Sequence, residues 1–177
     1  LDAADTAALA GHVAGRALDA GAASRIYRDT EGNPLFVVDT VRAGLAEDEA
    51  GPPARVRAVI QWRLAQLSPP TQALAQVAAA IGRRFSLDVL AQASGQDEAL
   101  LLEGLDELWR RHLVRVESGA GGTMYDFSHD GIRAVAYDEL APIRRRAVPL
   151  RIARALEALG GEASQLAYHC EQAGQVQ

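Results

Sequence analysis

Two short stretches of this chain alternate between apolar and polar residues. They are Leu113-Val114-Arg115-Val116-Glu117 and Met124-Tyr125-Asp126-Phe127-Ser128, and each reads as a β-strand. The glycine-rich Ser118 to Thr123 lies between them and joins them as a hairpin. In the second strand Tyr125 and Phe127 point to one face, Asp126 and Ser128 to the other. That strand runs straight into a helix. Ser128 is the expected N-cap, and Asp130 in the first turn suits the helix dipole. His129 then sits at a helix N-terminus beside unpaired backbone N–H groups, a place that can hold an anion. On local chemistry alone the plainer reading is a capped helix with an incidental histidine.

The rest of the chain reads as helix, cut by glycine and proline. Ala3 to Ala14 has Leu9 and Val13 at i and i+4. Gly15 and Gly21 bracket a short second helix. Ala22 to Thr30 forms a third, stopped at Gly32 as C′ residue. Asn33-Pro34 opens another, with proline at the first helical position and asparagine as its cap. Val37, Val41, Gly44 and Leu45 keep helical spacing on one face of it. Residues 1–48 therefore read as a small helical bundle. Glu47 to Pro53 is an acidic breaker. From Ala54 a periodic helix runs through Val56, Val59, Ile60, Leu64 and Leu67, and Ser68-Pro69-Pro70 ends it. Thr71 starts the next, with Leu74, Val77, Ala78 and Ile81 in register, and Gly82 to Ser86 is a turn. Leu87 to Ala93 is a short helix closed near Gly95. Asp97 caps a longer one whose stripe is Leu101, Leu105, Leu108 and Trp109. Three helices followed by a hairpin, over about 71–128, is the order of a winged helix. A helix from His129 to Leu140 follows. Pro142 opens another through Ile152, Leu156 and Leu159, with a kink expected at Pro149. Gly160-Gly161 breaks it, and Leu166, Ala167 and Cys170 mark a last helix.

Composition excludes several chemistries. All 18 basic residues are arginine, so the chain cannot carry a P-loop, whose lysine reaches the phosphates. Any nucleotide role is accessory to a P-loop elsewhere, and the start at Leu1 leads to the expectation of a piece of a longer protein. Cys170 is the one cysteine and the four histidines are widely spaced, so neither an internal disulfide nor a metal site is expected. The net charge of −5 argues against a surface built for nucleic acid or anionic lipid. No membrane span or signal peptide is read, and the expected compartment is the cytoplasm.

The chain resembles the region that follows the nucleotide-binding core in STAND-class signalling ATPases, above all the large LuxR-type and AAA-like bacterial transcriptional regulators. The residues that carry this are Thr30-Glu31-Gly32-Asn33-Pro34-Leu35-Phe36, then Val59-Ile60 with Arg63-Leu64 and Leu67, then Ala78 to Phe85. Leu105-Asp106-Glu107-Leu108, Tyr125 to His129 and Tyr137-Asp138-Glu139-Leu140 complete an ordered set covering nearly the whole chain. The resemblance implies a mainly α fold in three parts: a helical lid at 1–48, a winged-helix domain with its leading helix at 54–141, and the start of TPR-like repeats at 142–177. Family members often carry a histidine near the position of Pro149, so the start of the repeats departs from the pattern here. The resemblance further implies that Pro34, in a G-x-P loop, packs on adenine. It also implies that His129 is the counterpart of an M-H-D histidine reaching the β-phosphate of ADP. Asp130, a negative charge beside that phosphate, would orient His129 or pair with an arginine. The cofactor, ADP or ATP, would be held mainly by an upstream core, and the parent protein would be an ATPase although this stretch has no catalytic residue. Its partners would be that core and the downstream repeat and effector domains.

Three other readings compete. One is a protein-interaction scaffold without a nucleotide role, since fold does not fix function. Direct DNA binding is disfavoured because the third helix of the winged helix would carry Asp97, Glu98, Glu103, Asp106 and Glu107 towards phosphates. An independent enzyme is disfavoured too. His12, His112 and His169 have no readable partner, and adjacent Ser128 and His129 cannot be oriented as nucleophile and base. Arg144-Arg145-Arg146 reads as a solvated basic face rather than an acidic-partner contact, and Cys170 as a small buried residue.

Overall fold

A computed structural model describes residues 1–42, 54–119 and 122–174. Gly44, Leu45, the Glu47–Pro53 breaker and Ala120-Gly121 lie outside the described residues, as does the side chain of Val56. The described chain is mainly helical, with one small antiparallel sheet. It divides into two compact units, Leu1–Arg63 and Leu64–Gln177.

In the first unit α1 spans Ala3–Ala14, α2 Ala20–Thr30 and α3 Pro34–Arg42. Asp2 caps α1 and Asp19 caps α2, each carboxylate accepting the N–H three residues on. Those caps correct one expectation: no helix lies between Gly15 and Gly21. Gly15 ends α1 in the left-handed region at φ 65°, and Asp19 starts α2 so early that Gly21 falls in its first turn. Ala10, Ile26 and Val37 form the centre of this unit, with Leu9, Leu18 and Val41 packed around them.

α4 spans Ala54–Ala65, across the division between the units. In the second unit α5 (Pro69–Ile81) begins two residues earlier than its periodicity suggested. Pro69 and Pro70 occupy its first two positions, where a missing N–H costs nothing, so the prolines start this helix as well as end the previous one. α5 is apolar around most of its circumference, and Thr71, Leu74, Ala75 and Val77 to Ala80 are all buried. It packs against α6 (Leu87–Ser94), α7 (Glu98–Arg110), α8 (Asp130–Asp138) and α9 (Pro142–Ala158). Its run of alanines explains this: methyl-sized side chains let helices approach on several sides, and Gly104 of α7 meets Leu74 closely.

The sheet has three strands, not two. β1 (Arg84–Ser86), expected as a turn, pairs antiparallel with β3 (Gly122–Phe127), which pairs on its other edge with β2 (Val114–Gly119). The order is β1-β3-β2. Gly82 makes the approach possible, because φ 152° with ψ −171° is a region open only to glycine. Phe85 of β1 stacks on Tyr125 and meets Phe127, each at 5.7 Å between ring centres. Val114 is buried where β2 meets α7. The α7 stripe also needs correcting. Leu101, Leu105 and Leu108 are buried, but Trp109 lies past the edge of that stripe and is 53% exposed.

α9 continues as helix through Pro149, which is buried. α10 spans Ala163–Gln172 and packs on α9. Of the three residues expected to mark its apolar face, Leu166 and Cys170 are half-buried and Ala167 is exposed. The one buried side chain of α10 is His169.

Candidate functional site

The β3–α8 junction is anchored from several directions. Phe127 N–H donates to the Arg83 carbonyl and Ser128 N–H to the Leu113 carbonyl, both at 3.0 Å. Arg115 Nη2 donates to the Ser128 carbonyl at 3.1 Å. With Ser128 so held, the helix starts one residue later than expected. The N-cap is His129, not Ser128, and α8 begins at Asp130. His129 has extended backbone angles, and its Nδ1 accepts from Gly131 N–H at 2.9 Å. The side chain is 3% exposed. Because Nδ1 is an acceptor, the neutral ring carries its proton on Nε2. Asp130 takes the second of its two expected roles, pairing with Arg133 Nε at 3.0 Å. Nearby Asp126 pairs with Arg83 and Glu117 with Arg84, so the carboxylates around the junction are matched by guanidinium groups.

A phosphate fits this junction in one respect only. Nε2–H is a donor by type, although it is buried from solvent, whereas the Gly131 N–H that would have helped to hold an anion is spent on Nδ1.

Pro34 belongs to the first unit and His129 to the second. The Thr30 hydroxyl donates to the Ile26 carbonyl at 2.6 Å and closes α2. Glu31 and Gly32 follow in the left-handed region at φ 47° and 71°. Asn33 N–H then returns to Thr30, and the Asn33 carbonyl accepts the first bond of α3 from Val37 N–H. Pro34 stands at the first position of α3 with its ring exposed. It is geometrically open to a flat apolar partner.

Two polar positions were not legible as sites. Glu107 of α7 reaches the start of α5, where the Ser68 hydroxyl donates to it at 2.9 Å and Ser68 N–H at 3.3 Å, with Arg111 alongside at 3.2 Å. Burial pushes its pKa up, but hydrogen bonds from Thr71 and Ser68 and the Arg111 charge hold it below the usual carboxylate value. A cleft of about 660 Å3 opens there between α5 and α7. His169 is buried at the end of α5, donating to the Ile81 carbonyl, and burial pulls its pKa below the usual imidazole value despite that bond. Its position three residues after Leu166, on one helical face, was the available signal.

Among the described residues, no three His, Cys, Asp or Glu side chains are grouped to hold a metal ion. No helix among them is long and apolar enough to cross a membrane. No family model matches the chain, and no curated protein matches it.

Proposed function

We propose that the chain is the regulatory arm of an ATP-dependent signalling switch of the STAND class, in a bacterial transcriptional regulator. In this reading a lid at 1–48 and a winged helix at 54–141 contribute to ADP binding and closed-state autoinhibition, and 142–177 enters a TPR-like array. The observation that carries the reading is the element order of the second unit. A helix, a short strand, two helices and a hairpin build a sheet of order β1-β3-β2, and the His129-led helix follows directly. That order is the one a winged helix would have, and it supports the reading. Pro34 would pack on the adenine and Nε2 of His129 would donate to a phosphate oxygen. The nucleotide would act on the switch only through its different affinity for the closed and open arrangements.

A DNA-reading role for α7 is weaker still with the arginines accounted for. Arg110 is paired with Asp106 and Arg111 with Glu107, so neither is spare for a phosphate. The scaffold reading has one specific observation in its favour: the His129 imidazole is buried and serves as a helix cap.

His129→Asn separates the two. Asparagine caps a helix as well as any residue, so α8 is kept while the imidazole donor is lost. In a protein that includes the upstream core, fluorescent-ADP affinity is expected to fall about 10- to 100-fold, as for loss of one hydrogen bond to a charged group. Unchanged ADP affinity with unchanged stability would make His129 a structural cap and favour the scaffold.

A further inference from the structure

In the second unit every arginine before α9 is engaged. Arg83, Arg84, Arg110, Arg111 and Arg133 face carboxylates, and Arg115 donates to the Ser128 carbonyl. On α9, Arg145 caps the end of α8 through the Leu140 and Asp138 carbonyls at 3.1 and 2.7 Å, and lies over the Tyr137 ring. Arg144, Arg146, Arg151 and Arg154 have no hydrogen-bond or ion-pair partner among the described residues. The unit's unpaired guanidinium groups are thus gathered on one helix, which carries five arginines and one glutamate in a chain of net charge −5.

Their placement opposes the helix's own electrostatics. Arg144 and Arg146 lie near the N-terminus of α9, where the dipole favours negative charge, and the first turn holds no acid. Arg145 is offset by the α8 carbonyls, while Arg144 and Arg146 are not. Helical spacing also puts an apolar seam between the charges. Ile143 and the half-buried Leu150 are seven residues apart on the outward side, with Arg146 on one flank, Arg144 on the other and Arg154 one turn beyond Leu150. Ile143 is 81% exposed, the most open large hydrophobic side chain among the described residues.

We propose that the outward face of α9 docks an acidic amphipathic helix of a partner protein. Apolar residues of that helix would lie on Ile143 and Leu150, and its flanking carboxylates on Arg144, Arg146 and Arg154. Carboxylates brought to this end of α9 complement both the guanidinium groups and the helix N-terminus. The apolar seam argues against a nucleic-acid backbone, which has nothing to lay on it. Residues 142–158 also contain no Ser, Thr, Asn, Gln or aromatic residue for sugars and bases.

The test is fluorescence anisotropy on the 177-residue chain. The probe is a labelled three-heptad peptide with leucine at a and d and glutamate at e and g, which its own charge keeps from self-pairing. Micromolar binding is expected, weakened at least about tenfold by Arg144→Glu with Arg146→Glu and, separately, by Ile143→Ser. All three positions are exposed, and acids near a helix start do not threaten its folding, so circular dichroism should be unchanged. Absence of peptide binding, or equal binding of a scrambled peptide of the same composition, overturns the proposal. Tighter binding of a mixed-sequence DNA duplex or of phosphatidylserine vesicles overturns it in favour of those partners.

Discussion

At the scale of single residues, the polar groups that matter most are those the helices use on one another. Glu107 caps a helix that starts 38 residues earlier in the chain, supplying the acceptor that Pro69 and Pro70 leave the Ser68 and Thr71 donors to find. Its folded pKa lies below its ordinary value, so its contribution is present above the usual carboxylate range and is lost as pH falls through the folded value. Glu107→Gln should cost about 1–2 kcal/mol near pH 7. In urea titrations the gap to the parent should close on acidification; a gap independent of pH would contradict the assignment. Thr6 is the opposite case, a fully buried residue whose hydroxyl has no hydrogen-bond partner among the described residues. Thr6→Val keeps the shape and removes the orphaned group, so a gain of about 1 kcal/mol is expected. An unchanged or lower melting temperature would argue against it.

At the scale of elements, α10 has an unusual attachment. Its one buried side chain is an imidazole that donates to the final turn of α5, with Arg133 and Asp138 of α8 lining the cleft beside it. A histidine whose folded pKa is lowered favours the folded state above its ordinary value of about 6.5 and loses that advantage as pH falls through the folded value. The parent should therefore lose stability on acidification from pH 7 to about 5 relative to His169→Gln, which retains a donor for Ile81 but does not ionise. Parallel pH profiles for the two proteins in urea would show that the ring does not govern the docking of α10.

At the scale of the whole molecule, the two units differ in what holds them. Among the described residues, the first centres on a small cluster of Ala10, Ile26 and Val37. The second surrounds α5 with four helices and adds a sheet. Small cores leave little stability after conformational entropy is met. Native-state hydrogen exchange should therefore show the amides of α1, α2 and α3 opening at lower free energy than those of α5 and α8. Equal protection in both units would be the contrary result.

The sequence by itself determined the features whose physics is local. Asp97 caps α7, Gly95 closes α6 in the left-handed region, and Pro34 and Pro142 begin their helices, because each acts within four residues of itself. The alternation of 113–117 and 124–128 announced the hairpin for the same reason. Tertiary structure decided what depends on distant partners. Arg84–Ser86 becomes a strand because the outer edge of β3 offers backbone groups to pair with. Alanine carries little helical pattern of its own, so only packing shows α5 to be the centre of its unit. His129 rather than Ser128 caps α8 because the Arg83 and Leu113 carbonyls and the Arg115 side chain have already claimed the backbone just before it. Glu107, His169 and Arg145 each serve a helix other than their own, and spacing along the chain holds no signal for that.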